Sequence, residues 1–472
     1  MIMIKGHGSE FLMSENTIVA IATPIGEGSI GIIRLSGETA LDIAAKIFVA
    51  KKEVKVQDIS SFSFRLGNIV NPISKVIIDE VLVSIMRGPK SYTGEDVVEI
   101  NCHGGPQVIE KILQITLSLG AQLAEPGEFT KRAFLNGRLD LVQAEAVIDL
   151  IRAKTETAVN LAINQLDGRL SLRFQDIKHN LVEIMAQMEA SIDFPEDVGD
   201  IDYPKTRDSL SNISNIISGM IYKGQQGRVL KDGLKTVIVG RPNVGKSSLL
   251  NALLEEDRAI VTDVPGTTRD IIEEIINLEG IPLKVVDTAG IRETDDKVEK
   301  IGVNIAKESL KKADLVLFML DTTSTITDDD RLILDHLKKE NTIVLLNKSD
   351  EDVKCISKDE VLALLPTYTI VEISAKEMWG LDELSRVIKE MVFGGAVKDH
   401  ESDIVTRTRH LNALERTLHY VKDALSGVEQ NIPVDLVVID IRNALDSFGE
   451  ITGETVTEDI LDTIFSEFCI GK

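Results

Sequence analysis

Eight residues in the middle of the chain, Gly240-Arg-Pro-Asn-Val-Gly-Lys-Ser247, have the spacing G-x-x-x-x-G-K-[ST]. Glycines at these positions let backbone N–H groups close around phosphate oxygens, so Asn243, Val244, Gly245, Lys246, Ser247 and Ser248 form a candidate phosphate cradle. Lys246 brings a point charge to the β and γ phosphates, Ser247 offers a hydroxyl to Mg²⁺, and the helix expected next adds its partial positive charge. Asp287-Thr288-Ala289-Gly290 follows a buried strand pattern. There Asp287 can hold Mg²⁺ through water and the Gly290 N–H can meet the γ-phosphate. Between the two lies Gly266-Thr267-Thr268, with Thr268 placed to complete the Mg²⁺ shell. Asn347-Lys348-Ser349-Asp350 ends another strand pattern. A carboxylate at Asp350 can accept from both N1–H and the 2-amino group of guanine, paired donors that adenine lacks. Ser374-Ala375-Lys376 is placed to back up that base.

Four ordered elements at strand ends imply binding of GTP or GDP and hydrolysis of GTP, and the set resembles the translation-factor-like GTPases. Ras-like proteins carry a water-orienting glutamine after the D-x-x-G element. Ile291 stands there instead, and an aliphatic side chain cannot orient water. One replacement is a monovalent cation, K⁺, on the side-chain carbonyl of Asn243. The other is a downstream carboxylate, for which Glu293, Asp295, Asp296 and Glu299 are available.

The elements that must hold these residues are legible in the apolar pattern. Runs at Thr236–Val239, Leu283–Val286, Leu315–Leu320, Thr342–Leu346 and Thr369–Ile373 alternate with helical stretches, the first being Ser248–Leu254. Such alternation predicts a largely parallel sheet covered by helices. Residues 18–134 mix short β-rich runs, such as those at Ile30 and Val97, with Gly and Pro, which predicts an α+β domain. From Leu139 to Phe194 the apolar residues Leu141, Ala144, Ile148 and Ile151 fall at helical spacing and the only glycine is Gly168. That predicts two long helices joined near Asp167-Gly168, then an acidic loop and a helix to about Lys223. The stretch from Thr406 to Lys472 is helical again. The fold class expected is therefore multidomain α/β and α+β. An N-terminal α+β domain spans 13–135, a helical domain spans 136–230 and 396–472, and a P-loop α/β domain is inserted at 231–395. Residues 1–12 are given no function. Gly8-Ser-Glu-Phe11 matches two adjacent cloning sites and Met13 makes a natural start, so they are read as an added tail.

The 472 residues include 52 Lys+Arg and 76 Asp+Glu, a formal charge of −24. A chain this acidic does not hold nucleic acid through its overall field, so any RNA contact needs a local basic patch or a partner. Candidate cations are Lys131, Arg132 and Arg138, and further on Arg407, Arg409 and Arg416. Cys102, Cys355 and Cys469 are odd in number and widely spaced, which suggests reduced thiols of the cytoplasm rather than a disulfide framework. No apolar run approaches the ~18 residues needed to cross a bilayer.

The whole chain from Thr17 onward resembles the MnmE (TrmE) family of tRNA-modifying GTPases. The specific marks are Thr17-Ile-Val-Ala with Ala22-Thr-Pro, Tyr92-Thr-Gly-Glu-Asp-Val, His103-Gly-Gly-Pro, Pro126-Gly-Glu-Phe-Thr-Lys-Arg-Ala-Phe-Leu-Asn and the terminal Phe468-Cys-Ile-Gly-Lys472. The resemblance implies a homodimer formed through N-terminal domains that resemble folate-binding aminomethyltransferase modules. It implies a FAD-containing, NADH-using partner, MnmG, in a heterotetramer or larger assembly. The two would modify C5 of the wobble uridine of certain tRNAs, with a tetrahydrofolate derivative (5-formyl- or methylene-tetrahydrofolate) as the one-carbon source. It carries folate contacts onto Arg34, Glu99, Arg138 and Lys472, with Arg138 standing where some relatives have lysine. It places Asn243, Thr262, the Val264 backbone and Thr267 around K⁺, gives Glu299 the attacking water, and ranks Arg269 and Arg292 below it. Cys469 is implied as a reactive thiol, a nucleophile beside Lys472. The competing reading is a regulatory GTPase switch in ribosome assembly without base chemistry, which needs neither the folate pattern nor the last five residues.

Overall fold

The computed structural model describes residues 2–6, 9–13, 16–24, 26–52, 54–256, 274–285, 310, 312–393 and 404–472. The chain divides into two compact units. One comprises Met1–Ile151, Ile163–Ser218 and Asn412–Lys472, the other Arg152–Ala162 and Gly219–Leu411.

The first unit begins with a two-stranded hairpin, β1 (Ile2–Gly6) and β2 (Ser9–Met13). Its main sheet has seven strands: β3 (Ile18–Ile21), β4 (Ile30–Ser36), β5 (Phe48–Ala50), β6 (Ser63–Val70), β7 (Ile77–Met86), β8 (Val97–His103) and β9 (Gln122–Leu123). They lie in the order β5-β6-β7-β8-β4-β3-β9. Helices α1 (Ala40–Ile47) and α2 (Pro106–Ser118) pack Leu41, Ile43, Ile47, Ile109 and Ile112 on Ile33, Leu35, Val83 and Ile100 of that sheet. Alternation along β4 and β8 puts one side of each strand into this core and leaves Arg34 and Glu99 on the other, directly opposite each other in the antiparallel register. Helix α3 (Glu128–Leu135) follows β9.

The long helical stretch differs from expectation. Instead of two helices joined at Gly168 there are three, α4 (Leu141–Arg152), α5 (Glu156–Leu166) and α6 (Arg169–Asp193). The additional break has a local cause. The buried Thr155 turns its hydroxyl to the Ala158 N–H at 3.2 Å and so caps α5, an arrangement that competes with continuing α4. The acidic stretch forms one helical turn, α7 (Pro195–Val198), and α8 runs from Tyr203 to Asp232, past the expected end at Lys223.

In the second unit the sheet has six strands: β10 (Leu234–Val239), β11 (Glu274–Leu278), β12 (Ile281–Val285), β13 (Leu315–Asp321), β14 (Thr342–Asn347) and β15 (Thr369–Glu372). The order is β11-β12-β10-β13-β14-β15, all parallel except the edge strand β11. Five of these strands follow the apolar runs, because a parallel sheet buried on both faces demands continuous apolar sequence; β13 is buried from Leu315 to Leu320. Strand β11 lies outside the expected runs: it joins β12 through Glu279 and Gly280, both at positive φ, a two-residue hairpin that the apolar pattern does not announce. Helices α9 (Lys246–Glu256), α10 (Asp328–Leu334), α11 (Lys358–Leu364) and α12 (Leu381–Phe393) complete the α/β alternation. The chain ends in α13 (Thr408–Glu429), α14 (Val434–Thr452) and α15 (Glu458–Ser466).

Candidate functional site

Strand β10 lies between β12 and β13, so the strand order reverses there. Ligands of open α/β sheets bind outside the carboxyl ends of the strands at such a reversal. Residues 240–245 occupy that place and lead into the first turn of α9. The loop needs backbone shapes that side chains resist. Asn243 sits at φ +63, and Gly245 at φ +103 with the Asn347 amide packed where a Cβ would be. Lys246 Nζ donates to the carbonyls of Gly240 and Arg241 at 2.9 and 2.7 Å, which parks the ammonium across the cradle. Burial pushes its pKa below the ordinary lysine value. Ser247 and Ser248 are exposed at the start of α9.

The base side is built on β14. Asn347 is buried and works in both directions. Its Nδ2 donates to the Val244 carbonyl at 2.7 Å and its Oδ1 accepts from the Ala375 N–H at 3.0 Å, fastening the phosphate loop to residues 374–376. Lys348, at φ +62, meets Asp321 Oδ2 at 2.6 Å. A hydrogen bond from the Ser374 hydroxyl holds the exposed Asp350 carboxyl below its usual range, ready to accept as an anion. Lys376 is exposed beside Glu377. Thus Asn243 to Ser248, Asn347, Lys348, Asp350 and Ser374 to Lys376 are brought to one end of one sheet. Thr262, Val264, Thr267, Thr268, Asp287, Thr288, Ala289, Gly290 and Glu299 lie outside the described residues, as do Arg269, Ile291, Arg292, Glu293, Asp295 and Asp296.

The first unit holds a second constellation. Arg34 Nε and its terminal nitrogen each lie 2.8 Å from Glu99 Oε1, and a further nitrogen donates to the Gly471 carbonyl at 3.1 Å, across 437 residues of sequence. The Arg34 guanidinium also faces the rings of Tyr92 and Phe129, each 5.7 Å away, and Arg138 faces Tyr92 at 5.1 Å. The Phe129 N–H donates to the Lys472 carbonyl. Gly471 turns at φ +93 with the Ile21 carbonyl 2.5 Å from where a Cβ would stand, so the segment 469–472 is threaded closely along the end of β3. Tyr92, Arg138, Leu139, Val147, Leu150, Ile151, Leu166 and Lys472 line a cavity of about 310 Å³. Burial, and then the Arg34 charge, lower the Lys472 pKa, while Glu99 and Cys469 pull it back up. The four residues named from the family pattern therefore converge, and Cys469 is exposed next to them. Arg138 and Lys472 on a mostly apolar cavity, with the Arg34–Glu99 pair against its Tyr92, suit a flat molecule carrying an anionic tail.

Two corrections concern the cations. Arg132 is not a surface group. It is buried, pairs with Glu95 at 3.1 Å and Glu128 at 2.8 Å, and donates to the Asn16 carbonyl, so it staples α3 to the sheet domain. Lys131 meets Asp462 at 2.6 Å and Arg416 meets Glu450, so both are already paired. The sequence reading also passed over Tyr92, Phe129 and Gly471 as site residues. All three lie inside motifs already singled out, which was the available signal.

A doubly wound sheet with a phosphate loop at its reversal and a carboxylate on the base side defines a P-loop guanine-nucleotide-binding protein. Comparison with known sequences takes this further. Residues 17–138 match the model of the GTP-binding protein TrmE N-terminus, and residues 141–469 match that of the MnmE helical domain. A protein of Desulforamulus reducens named tRNA modification GTPase MnmE is 50% identical over 467 residues, 98% of this chain and 100% of the relative. Proteins of the same name from Clostridioides difficile and Geobacillus kaustophilus are 50% and 47% identical, each over 97% of this chain and 99% of the relative. The chain belongs to the MnmE family.

Proposed function

We propose that this chain is a K⁺-stimulated GTPase that, with the FAD-containing protein MnmG, converts C5 of the wobble uridine of certain tRNAs to the (carboxymethyl)aminomethyl form. Its relatives carry the name tRNA modification GTPase, which supports the reaction class. The observation that carries the finer reading is that Arg138 and Lys472 line one cavity with Tyr92, while Arg34, paired with Glu99, faces that same Tyr92 and holds the Gly471 carbonyl. A reduced folate bound there supplies the one-carbon unit. The Glu99 carboxylate suits the donor edge of a pterin, Tyr92 offers a flat ring, and Arg138 and Lys472 suit the glutamate tail. Cys469, exposed beside them, is the thiol within reach of a substrate base. A regulatory switch without base chemistry would leave this whole constellation without a task.

In the second unit, Lys246, now on two carbonyls, would serve the β and γ phosphates, and the Ser247 hydroxyl with Thr268 would hold Mg²⁺. Asn243, whose φ is +63, would share K⁺ with Thr262, Val264 and Thr267. Glu299 orients the attacking water, taking the place of the missing glutamine. The homodimer draws support from Phe64, Leu66 and Leu82, exposed apolar residues on the β6–β7 ladder, of which Leu66 and Leu82 are register partners. Among the described residues no helix is long and apolar enough to cross a membrane, and we place the reaction in the cytoplasm with its tRNA. Mass spectrometry of tRNA nucleosides tests the proposal. Cells lacking this chain should lose the modified wobble uridine, and Cys469→Ser should lose it while sparing GTP hydrolysis. Fully modified tRNA in either would refute the reading. Exchange of K⁺ for Na⁺ should slow hydrolysis strongly; equal rates would remove the cation role of Asn243.

A further inference from the structure

The phosphate side and the base side of the nucleotide site are joined by a second route besides Asn347. Arg241, inside the phosphate loop, directs Nε to Asp330 Oδ1 and Oδ2 at 3.0 and 2.9 Å and a terminal nitrogen to Ser324 Oγ at 2.8 Å. Asp330 is fully buried, and its Oδ2 also accepts from Thr327 N and Oγ1, each at 3.0 Å, which closes the capping box of α10. A buried carboxylate needs a cation and a full set of donors, and Arg241 supplies the cation. Ser324 Oγ passes the contact on to the Asp321 carbonyl at 3.3 Å. Asp321 takes the N–H and hydroxyl of Thr323 on one oxygen, at 2.9 and 2.7 Å, and Lys348 Nζ on the other. Burial works to raise the Asp321 carboxyl, but Lys348 and Thr323 outweigh it and leave it below the ordinary value.

Residues 321–330 are therefore clamped at the start to the base loop and at the end to the phosphate loop. The clamp on Arg241 acts on the residue whose carbonyl holds Lys246 Nζ at 2.7 Å. The clamp on Lys348 acts two residues before Asp350. We propose that Arg241 and Asp330 are a positioning pair, and that the strut 321–330 makes the grip on phosphate and the recognition of guanine depend on each other. This rests on the nucleotide reading above.

The test compares GDP with inosine diphosphate, which lacks the 2-amino group that Asp350 would accept. Arg241→Gln removes the charge and leaves the Thr327–Asp330 capping box. It should weaken GDP about tenfold, and the preference for GDP over inosine diphosphate should shrink at least about threefold, as expected for coupled rather than independent groups. Ser324→Ala keeps the ion pair and should move both quantities in the same direction by less; it carries the test if melting shows that Arg241→Gln does not fold. A variant that loses GDP affinity but keeps the full base preference overturns the coupling. Variants that match the parent in both quantities overturn the positioning role. A parent chain that ignores GDP overturns the nucleotide reading itself, and the pair's role with it.

Discussion

Gly471→Ala tests the second site most directly, because the structure fixes what one methyl group would do there. At φ +93 a residue with a Cβ costs about 1–2 kcal/mol. The added carbon would also stand 2.5 Å from the Ile21 carbonyl oxygen and 3.1 Å from Ala22 Cα. Both are backbone atoms at the end of β3 and cannot swing aside, so residues 469–472 must shift instead. The shift breaks the bond from Arg34 to the Gly471 carbonyl, a charge-assisted contact of roughly 1.5–3 kcal/mol, taken at its lower end because Arg34 keeps some solvent. Together these come to about 3 kcal/mol, a loss of roughly a hundredfold in the docked tail. A ligand that needs Lys472 in place then binds more weakly by up to the same factor. The assay is equilibrium dialysis of 5-formyl-tetrahydrofolate against the full chain, with GDP affinity as the control. Folate affinity should collapse while GDP affinity stays put. Folate binding within about threefold of the parent would refute the argument that the threaded tail builds the site.

Three further outcomes concern the nucleotide site. Gly245→Ala forces a strained φ against the Asn347 amide at about 1–3 kcal/mol, so GDP titration should show a loss of roughly tenfold or more. Asp350→Asn exchanges an acceptor for a donor and should weaken GDP by on the order of a hundredfold while xanthosine diphosphate gains, measured by competition; unchanged GDP binding would displace Asp350 from the base. Lys246 has its pKa lowered by burial, whereas the phosphate-bound ammonium stays protonated. Binding therefore takes up a proton above the lowered pKa, and GDP affinity should start to fall with rising pH before the 10.5 of an ordinary lysine. In Lys246→Arg, which stays charged, that fall should vanish.

What the linear chain determined was whatever depends on neighbours in sequence. Residues 240–247 form a tight loop before a helix because their glycines permit it. The strands β10, β13, β14 and β15 appear where apolar runs are long enough to be buried on both faces. The proposal of guanine rests on the hydrogen-bonding capacity of a carboxylate at Asp350. Even β11 and the break before α5 hang on short-range devices, a Glu-Gly turn and a Thr155 cap, too small to stand out against helical or apolar periodicity. Tertiary structure decided which charges act. Lys131, Arg132 and Arg138 look alike within a few residues of one another. Yet folding buries Arg132 between Glu95 and Glu128, ties Lys131 to Asp462, and leaves Arg138 against Tyr92 at the cavity. Arg34 finds Glu99 across a strand ladder and Gly471 across the whole chain, and Arg241 finds Asp330 beneath its own loop. Such pairings set desolvation and charge balance, which depend on distance in space, so only the folded chain assigns them.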